Sequence, residues 1–164
     1  MSADNEYIHV RLATADDVPL ILAFVKALAD YEKLSDQVAA DESRLRDTLF
    51  GKHAYAETLI AEFKGEPAGF ALFFHSYSTF LARPGIYLED LFVKPELRGR
   101  GIGKALLTRL AQLAVERGCG RLEWFVLNWN QPAIDFYRSL GAEPLDEWTF
   151  YRLTGEALQR LGRR

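Results

Sequence analysis

Residues 88–103 read Leu-Glu-Asp-Leu-Phe-Val-Lys-Pro-Glu-Leu-Arg-Gly-Arg-Gly-Ile-Gly, and two chemistries lie side by side in them. The second half interleaves arginine and glycine (Arg98, Gly99, Arg100, Gly101) ahead of a helix-forming run that begins at Ile102 and Gly103. A helix N-terminus leaves backbone N–H groups unpaired and carries about half a positive charge. Glycines let the backbone come close to an anion there, so the turn reads as a phosphate site. The first half carries two adjacent carboxylates, Glu89 and Asp90, on a strand. A carboxylate attracts a cationic amine and can accept its proton. Successive strand residues point to opposite faces, so only one of the pair lines a given cleft unless a bulge intervenes.

Two familiar phosphate templates fail on this turn. A Walker A loop needs glycine and then serine or threonine where this chain has Arg98 and Ala105. A dinucleotide loop needs a third glycine where Lys104 stands. The spacing present is Arg-x-x-Gly-x-Gly, filled by Arg98, Gly101 and Gly103. A plain surface turn with two solvated arginines is the alternative reading.

The elements that must hold these residues follow from periodicity and punctuation. Strands are expected at residues 7–11, 55–63, 69–75, 86–93, 121–127 and 148–153, with residues 64–67 as a hairpin and 76–85 as a polar connection. Helices are expected after Thr14 and Asp17, over 41–50, from Ile102 to about Gly118, over 132–140 and from Gly155. Strands cluster in the middle and alternate with helices later, so the fold class is α/β, a mixed sheet with helices on both faces.

The chain has 164 residues, read as a single domain over 1–164. A net charge of −3 argues against a nucleic-acid partner. No apolar run reaches the length of a membrane span. The opening residues, Met1 to Glu6, are acidic and lack signal-peptide character. One cysteine, Cys119, permits no internal disulfide, which fits a cytoplasmic setting. His9, His53 and His75 form no plausible ligand set, so no metal is expected.

The Arg98–Gly103 loop resembles the acetyl-coenzyme A loop of the GNAT acetyltransferase superfamily. Tyr31-Glu32, residues 88–93, Trp129-Asn130-Gln131-Pro132 and Asp135-Phe136-Tyr137 occur in the order seen in diamine (spermidine/spermine) acetyltransferases and their thialysine-acetylating relatives. Residues 31–38 and Tyr77-Ser78-Thr79-Phe80 look like the thialysine branch. The resemblance implies a GNAT-like, mostly antiparallel central sheet of about 6–7 strands. It also implies acetyl-coenzyme A as acetyl donor, a small-molecule amine as substrate, and a homodimer.

Transfer of an acetyl group to an amine sets the roles. An alkylammonium with a pKa near 10.4 costs roughly 4–5 kcal/mol to deprotonate unassisted at neutral pH. Glu89 is the candidate base, directly or through water, and an anchor for the amine. The resemblance makes Tyr137 the proton donor to the departing thiolate; a packed core tyrosine is the other reading. It places coenzyme contacts at Leu91, Phe92, Val93, Arg98, Gly99, Arg100, Gly101, Ile102, Gly103, Asn130 and Tyr137, with the N–H of Phe92 or Val93 as oxyanion donor. Asn130 can also cap the helix that begins near Pro132. Amine-side candidates are Tyr31, Glu32, Glu89, Asp90 and Glu123. Asp90 can instead serve as a hydrogen-bond acceptor on the opposite face. The polyamine branch carries an acid where this chain has Ser78, which speaks against long polyamines. A polyamine acetyltransferase, a protein-lysine modifier and a non-catalytic acetyl-coenzyme A sensor are the competing functions.

Overall fold

In a computed structural model that describes residues 4–163, the chain divides into two compact units, Met1–Phe125 and Val126–Arg164. Of the acidic opening stretch, residues 1–3 lie outside the described residues. Among the described residues no helix is long and apolar enough to cross a membrane.

The first unit is built on five strands: β1 (Ile8–Leu12), β2 (Glu57–Phe63), β3 (Glu66–Ser78), β4 (Arg83–Val93) and β5 (Leu122–Trp124). They lie in the order β1-β2-β3-β4-β5, antiparallel except for the parallel β4–β5 pair. Five strands replace the six or seven expected. Residues 148–153 alternate like a strand but form none, and Trp148 and Tyr151 there are 76% and 88% exposed. A pleated composition is local, whereas a ladder partner is not. The expected connection at residues 76–85 is mostly ladder, with Ser76 opposite Gly85 and Ser78 opposite Arg83. Gly85 permits this approach, since a Cβ there would meet the Ser76 hydroxyl at 2.6 Å. The Ser78 hydroxyl is buried and accepts from the Leu81 N–H at 3.2 Å, so it closes the hairpin.

Helix α1 (Val18–Tyr31) follows a capping box in which Asp17 and Thr14 satisfy each other's backbone. Its apolar stripe, with α2 (Glu42–Phe50), covers one face of the sheet. Ile21, Phe24, Leu28 and Leu49 pack there with Ile60, Phe70 and Phe92. The rings of Phe24 and Phe70 stack at 5.3 Å, a contact worth about 0.5–1.5 kcal/mol beyond area burial. Leu59, Ala61, Ala71 and Phe73 are fully buried at the alternate positions. Helix α3 (Ile102–Glu116) runs across all five strands with Ile102, Leu106 and Leu110 buried at four-residue spacing.

In the second unit, α4 (Gln131–Ser139) starts with Pro132 in its first turn, and α5 (Gly155–Gly162) follows an irregular stretch. Helix α4 closes in a left-handed turn at Gly141, where the Ala142 N–H returns to the Tyr137 carbonyl. Helix α3 closes the same way at Gly118. Helix α1 does so with a lysine: Lys33 has φ 61°, and the Leu34 N–H returns to the Ala29 carbonyl at 2.8 Å. The helix that ends in Tyr31 and Glu32 is therefore fastened through a strained residue.

Candidate active site

Strand β4 carries the candidate site of the first unit, and one extra residue shapes it. The β3–β4 register runs from Gly69–Val93 to Leu72–Asp90 and resumes at Phe73–Leu88, leaving Glu89 as a bulge. The bulge breaks the alternation that would have set Glu89 and Asp90 on opposite faces. Asp90 now lies within reach of two other carboxylates. Burial and the negative charges of Glu89 and Glu32 push its carboxyl up to about 7. Burial also raises the carboxyl of Glu32, which follows the last residue of α1. Three of the amine-side candidates are thus brought together. Glu123 stands apart: it sits opposite Tyr87 on β5 and pairs with Arg121 at 3.2 Å.

The same bulge decides which amides face outward. Upstream of it the Ile86 N–H donates to the Arg121 carbonyl on the β5 side, at 3.0 Å. Downstream, the Lys94 N–H donates to the Ala68 carbonyl on the β3 side, at 2.9 Å. Alternation then turns Phe92 toward β3 and turns Leu91 and Val93 the other way. Strand β5 reaches only to the Leu88–Trp124 pair, so no described strand of this unit covers that edge. The ring of Phe92 is buried beneath α1, 6.1 Å from that of Phe24.

Beyond β4 a single 3-10 turn (Pro95–Leu97) leads into the glycine turn. Gly99 and Gly101 have φ of 78° and 89°, a left-handed backbone open to glycine at little cost. No side chain caps α3, and its first backbone bond runs from the Ala105 N–H to the Gly101 carbonyl at 2.9 Å. The amides at Ile102 and Gly103 therefore open onto the turn, which is the fit an anion requires. Arg98 also has partners within this unit. Its Nε donates to the Val93 carbonyl at 3.0 Å, and its guanidinium lies 4.4 Å from the Tyr31 ring centre and 5.6 Å from that of Phe92. Arg100 lies over the Phe63 ring and pairs with Asp4 at 3.4 Å.

In the second unit Asn130 is buried and its side-chain oxygen accepts from the Ala133 N–H at 3.4 Å, so its capping role is present. Tyr137 is half-buried on α4 with its ring against Phe136. Among the described residues no group of His, Cys, Asp and Glu is arranged to hold a metal. Sequence reasoning left open whether a bulge falls at Glu89 and Asp90, and it missed the contact of Arg98 with Tyr31. Neither leaves a local signal, because each is a relation between distant segments.

Residues 23–142 match the acetyltransferase (GNAT) family. The chain is 42% identical over 166 residues to a thialysine N-epsilon-acetyltransferase of Bos taurus, covering 94% of this chain and 97% of that one. It is 34% identical over 200 residues to an L-ornithine N5-acetyltransferase of Arabidopsis thaliana, covering 94% and 88%. An integron cassette protein from the mobile metagenome of V. cholerae superposes with a TM-score of 0.80 at 28% identity, over 96% of this chain and 99% of that one. An aminoglycoside acetyltransferase from a soil metagenomic sample shares the fold, with a TM-score of 0.77 at 20% identity over 92% and 99%.

Proposed function

The chain belongs to the acetyltransferase (GNAT) family and is an N-acetyltransferase. We propose that it transfers an acetyl group from acetyl-coenzyme A to the primary amine of a small cation, directly, while both are bound. The leading substrates are thialysine-like amino acids and short diamines. One observation carries this reading: the stretch of β4 that β5 leaves uncovered, residues 89–93, has an uncapped helix N-terminus beyond its far end and clustered carboxylates, Glu32, Glu89 and Asp90, at its near end. Glu89 and Val93 are four residues apart, roughly 13 Å of strand, so anion and cation sites face the two ends of one exposed edge.

When bound, acetyl-coenzyme A supplies an activated acyl group. The amides at Ile102 and Gly103 hold its diphosphate, with Gly99 and Gly101 letting the backbone approach. The outward N–H groups of Leu91 and Val93 are the donors along the edge, and the Val93 N–H is the one assigned to the carbonyl oxygen as negative charge develops. Glu89 takes the amine proton, directly or through water, and the carboxylates of Glu32 and Asp90 hold the cation. Tyr137 is the candidate donor of a phenol proton to the leaving sulfur, a role resting on the motif match.

The family match at residues 23–142 crosses the boundary between the two units, which supports reading residues 1–164 as one acetyltransferase domain. The resemblance to enzymes that build amine sites at a subunit interface supports a homodimer, which light scattering measures. Thiol release across thialysine, ornithine, lysine, putrescine, spermidine and a peptide N-terminus tests the function. Turnover on a small amine is expected, whereas coenzyme binding without turnover on any of them would leave the sensor reading. Tyr137→Phe is expected to lower turnover by about 10²–10⁴-fold with coenzyme affinity intact. Unchanged turnover removes Tyr137 from the acid role.

A further inference from the structure

Arg98 opens the glycine turn, and its charge suggests a phosphate ligand. Its contacts describe a different part. The guanidinium bonds the Val93 carbonyl at 3.0 Å on the exposed edge of β4 and lies face-on to Tyr31, the last residue of α1. It thereby joins three pieces: the turn that begins at Arg98, the strand edge, and the end of α1. Glu32 follows Tyr31 directly, and its charge acts on Asp90. Within the turn, Gly99 and Gly101 are free to adopt other conformations, and the Arg98 N–H makes only a long bond, 3.3 Å, to the Pro95 carbonyl. The side chain of Arg98, with its 3.0 Å bond to the Val93 carbonyl, thus anchors the start of the turn more closely than its own N–H does. A guanidinium suits such a part, because its plane stacks on an aromatic ring while its edge donates hydrogen bonds.

We propose that Arg98 is a positioning residue that couples the anion-binding turn to the amine-binding carboxylates through its stack on Tyr31. The proposal rests on the functional reading above. Shifting Tyr31 moves the base of the turn, and losing the turn's geometry frees the end of α1. A coupling of this kind is reciprocal, so each site feels a change made at the other.

The test is a double-mutant cycle on the full-length chain, with coenzyme A binding followed by calorimetry. Tyr31→Leu, which removes the ring, is expected to weaken coenzyme A about 3–10-fold, and Tyr31→Phe, which keeps the ring, to stay within about twofold. The double variant Tyr31→Leu with Arg98→Met should bind no more weakly than Arg98→Met alone. Additive losses, or an unaffected Tyr31→Leu, would overturn the coupling. Arg98→Lys, which keeps the charge and loses the plane, guards against a misfolded Arg98→Met. It should raise the KM for thialysine even at saturating acetyl-coenzyme A; a plain phosphate ligand would leave that KM where it was, and this result also sinks the proposal. A wild-type chain that binds no coenzyme A fails the functional reading itself, and the coupling with it.

Discussion

The two ends of the exposed edge of β4 meet opposite electrostatic demands with different materials. Beyond Val93 the positive field comes from backbone: uncapped amides at the start of α3 and two left-handed glycines. Around Glu89 the negative field comes from side chains, three carboxylates gathered by a bulge and by the end of α1. Backbone amides do not titrate and do not depend on which side chain stands beside them, so the glycine-turn end holds its field at any ordinary pH. Carboxylates repel one another and respond to protons, so the carboxylate end is adjustable. Asp90, with its carboxyl near 7, is the adjustable member.

Substitutions can break this contrast. The largest effect is expected at the side-chain end, where Glu89→Gln removes the proposed base and part of the field. It should lower kcat/KM for the amine by about 10²-fold or more while coenzyme affinity holds, as steady-state kinetics with a parallel binding titration will show. At the backbone end, Gly101→Ala puts about 1–2 kcal/mol of left-handed strain on the turn; the free turn relieves it by leaving the anion-binding geometry, so coenzyme A affinity by calorimetry should fall up to roughly tenfold. A large loss from Glu89→Gln in coenzyme binding would erase the distinction between the ends.

The contrast in pH response follows from the raised carboxyl of Asp90. Its native form binds a proton more tightly than the unfolded chain, whose carboxyl titrates near 3.8. The stabilisation is full below that value and is lost as pH rises through about 7. Asp90→Asn removes this loss, so the variant's Tm should gain on the parent as pH rises from about 4 to about 7. A cation at the cluster favours ionised Asp90, so amine binding near neutral pH should release protons, measurable as a buffer-dependent enthalpy. The smallest effect concerns the lysine that closes α1. Lys33→Gly should raise Tm by roughly 2–4 °C, because glycine accepts the left-handed turn without strain.

Much of the site is legible in residue order. The Arg-x-x-Gly-x-Gly turn, the strand before it and the amphipathic helix after it are local features, and the end of that strand and the start of that helix lie where periodicity and punctuation place them. Asn130 ahead of Pro132 reads as a cap and is one. Residues 148–153 mislead, because alternation shows how a strand would pack and not whether a neighbour pairs with it. Residues 76–85 mislead the other way: their polar composition hides a ladder that Gly85 makes room for.

The sequence by itself determined the chemistry available: an anion turn, acids on the strand before it, and a tyrosine on a later helix. These depend on spacings of a few residues, where chain geometry leaves little freedom. Tertiary structure decided how the parts are used. The register between β3 and β4 leaves Glu89 over as a bulge, which gathers the acids and turns Leu91 and Val93 outward. The meeting of α1 with the turn draws Arg98 onto Tyr31. Both outcomes are relations between segments far apart in the chain, and residue order alone does not contain them.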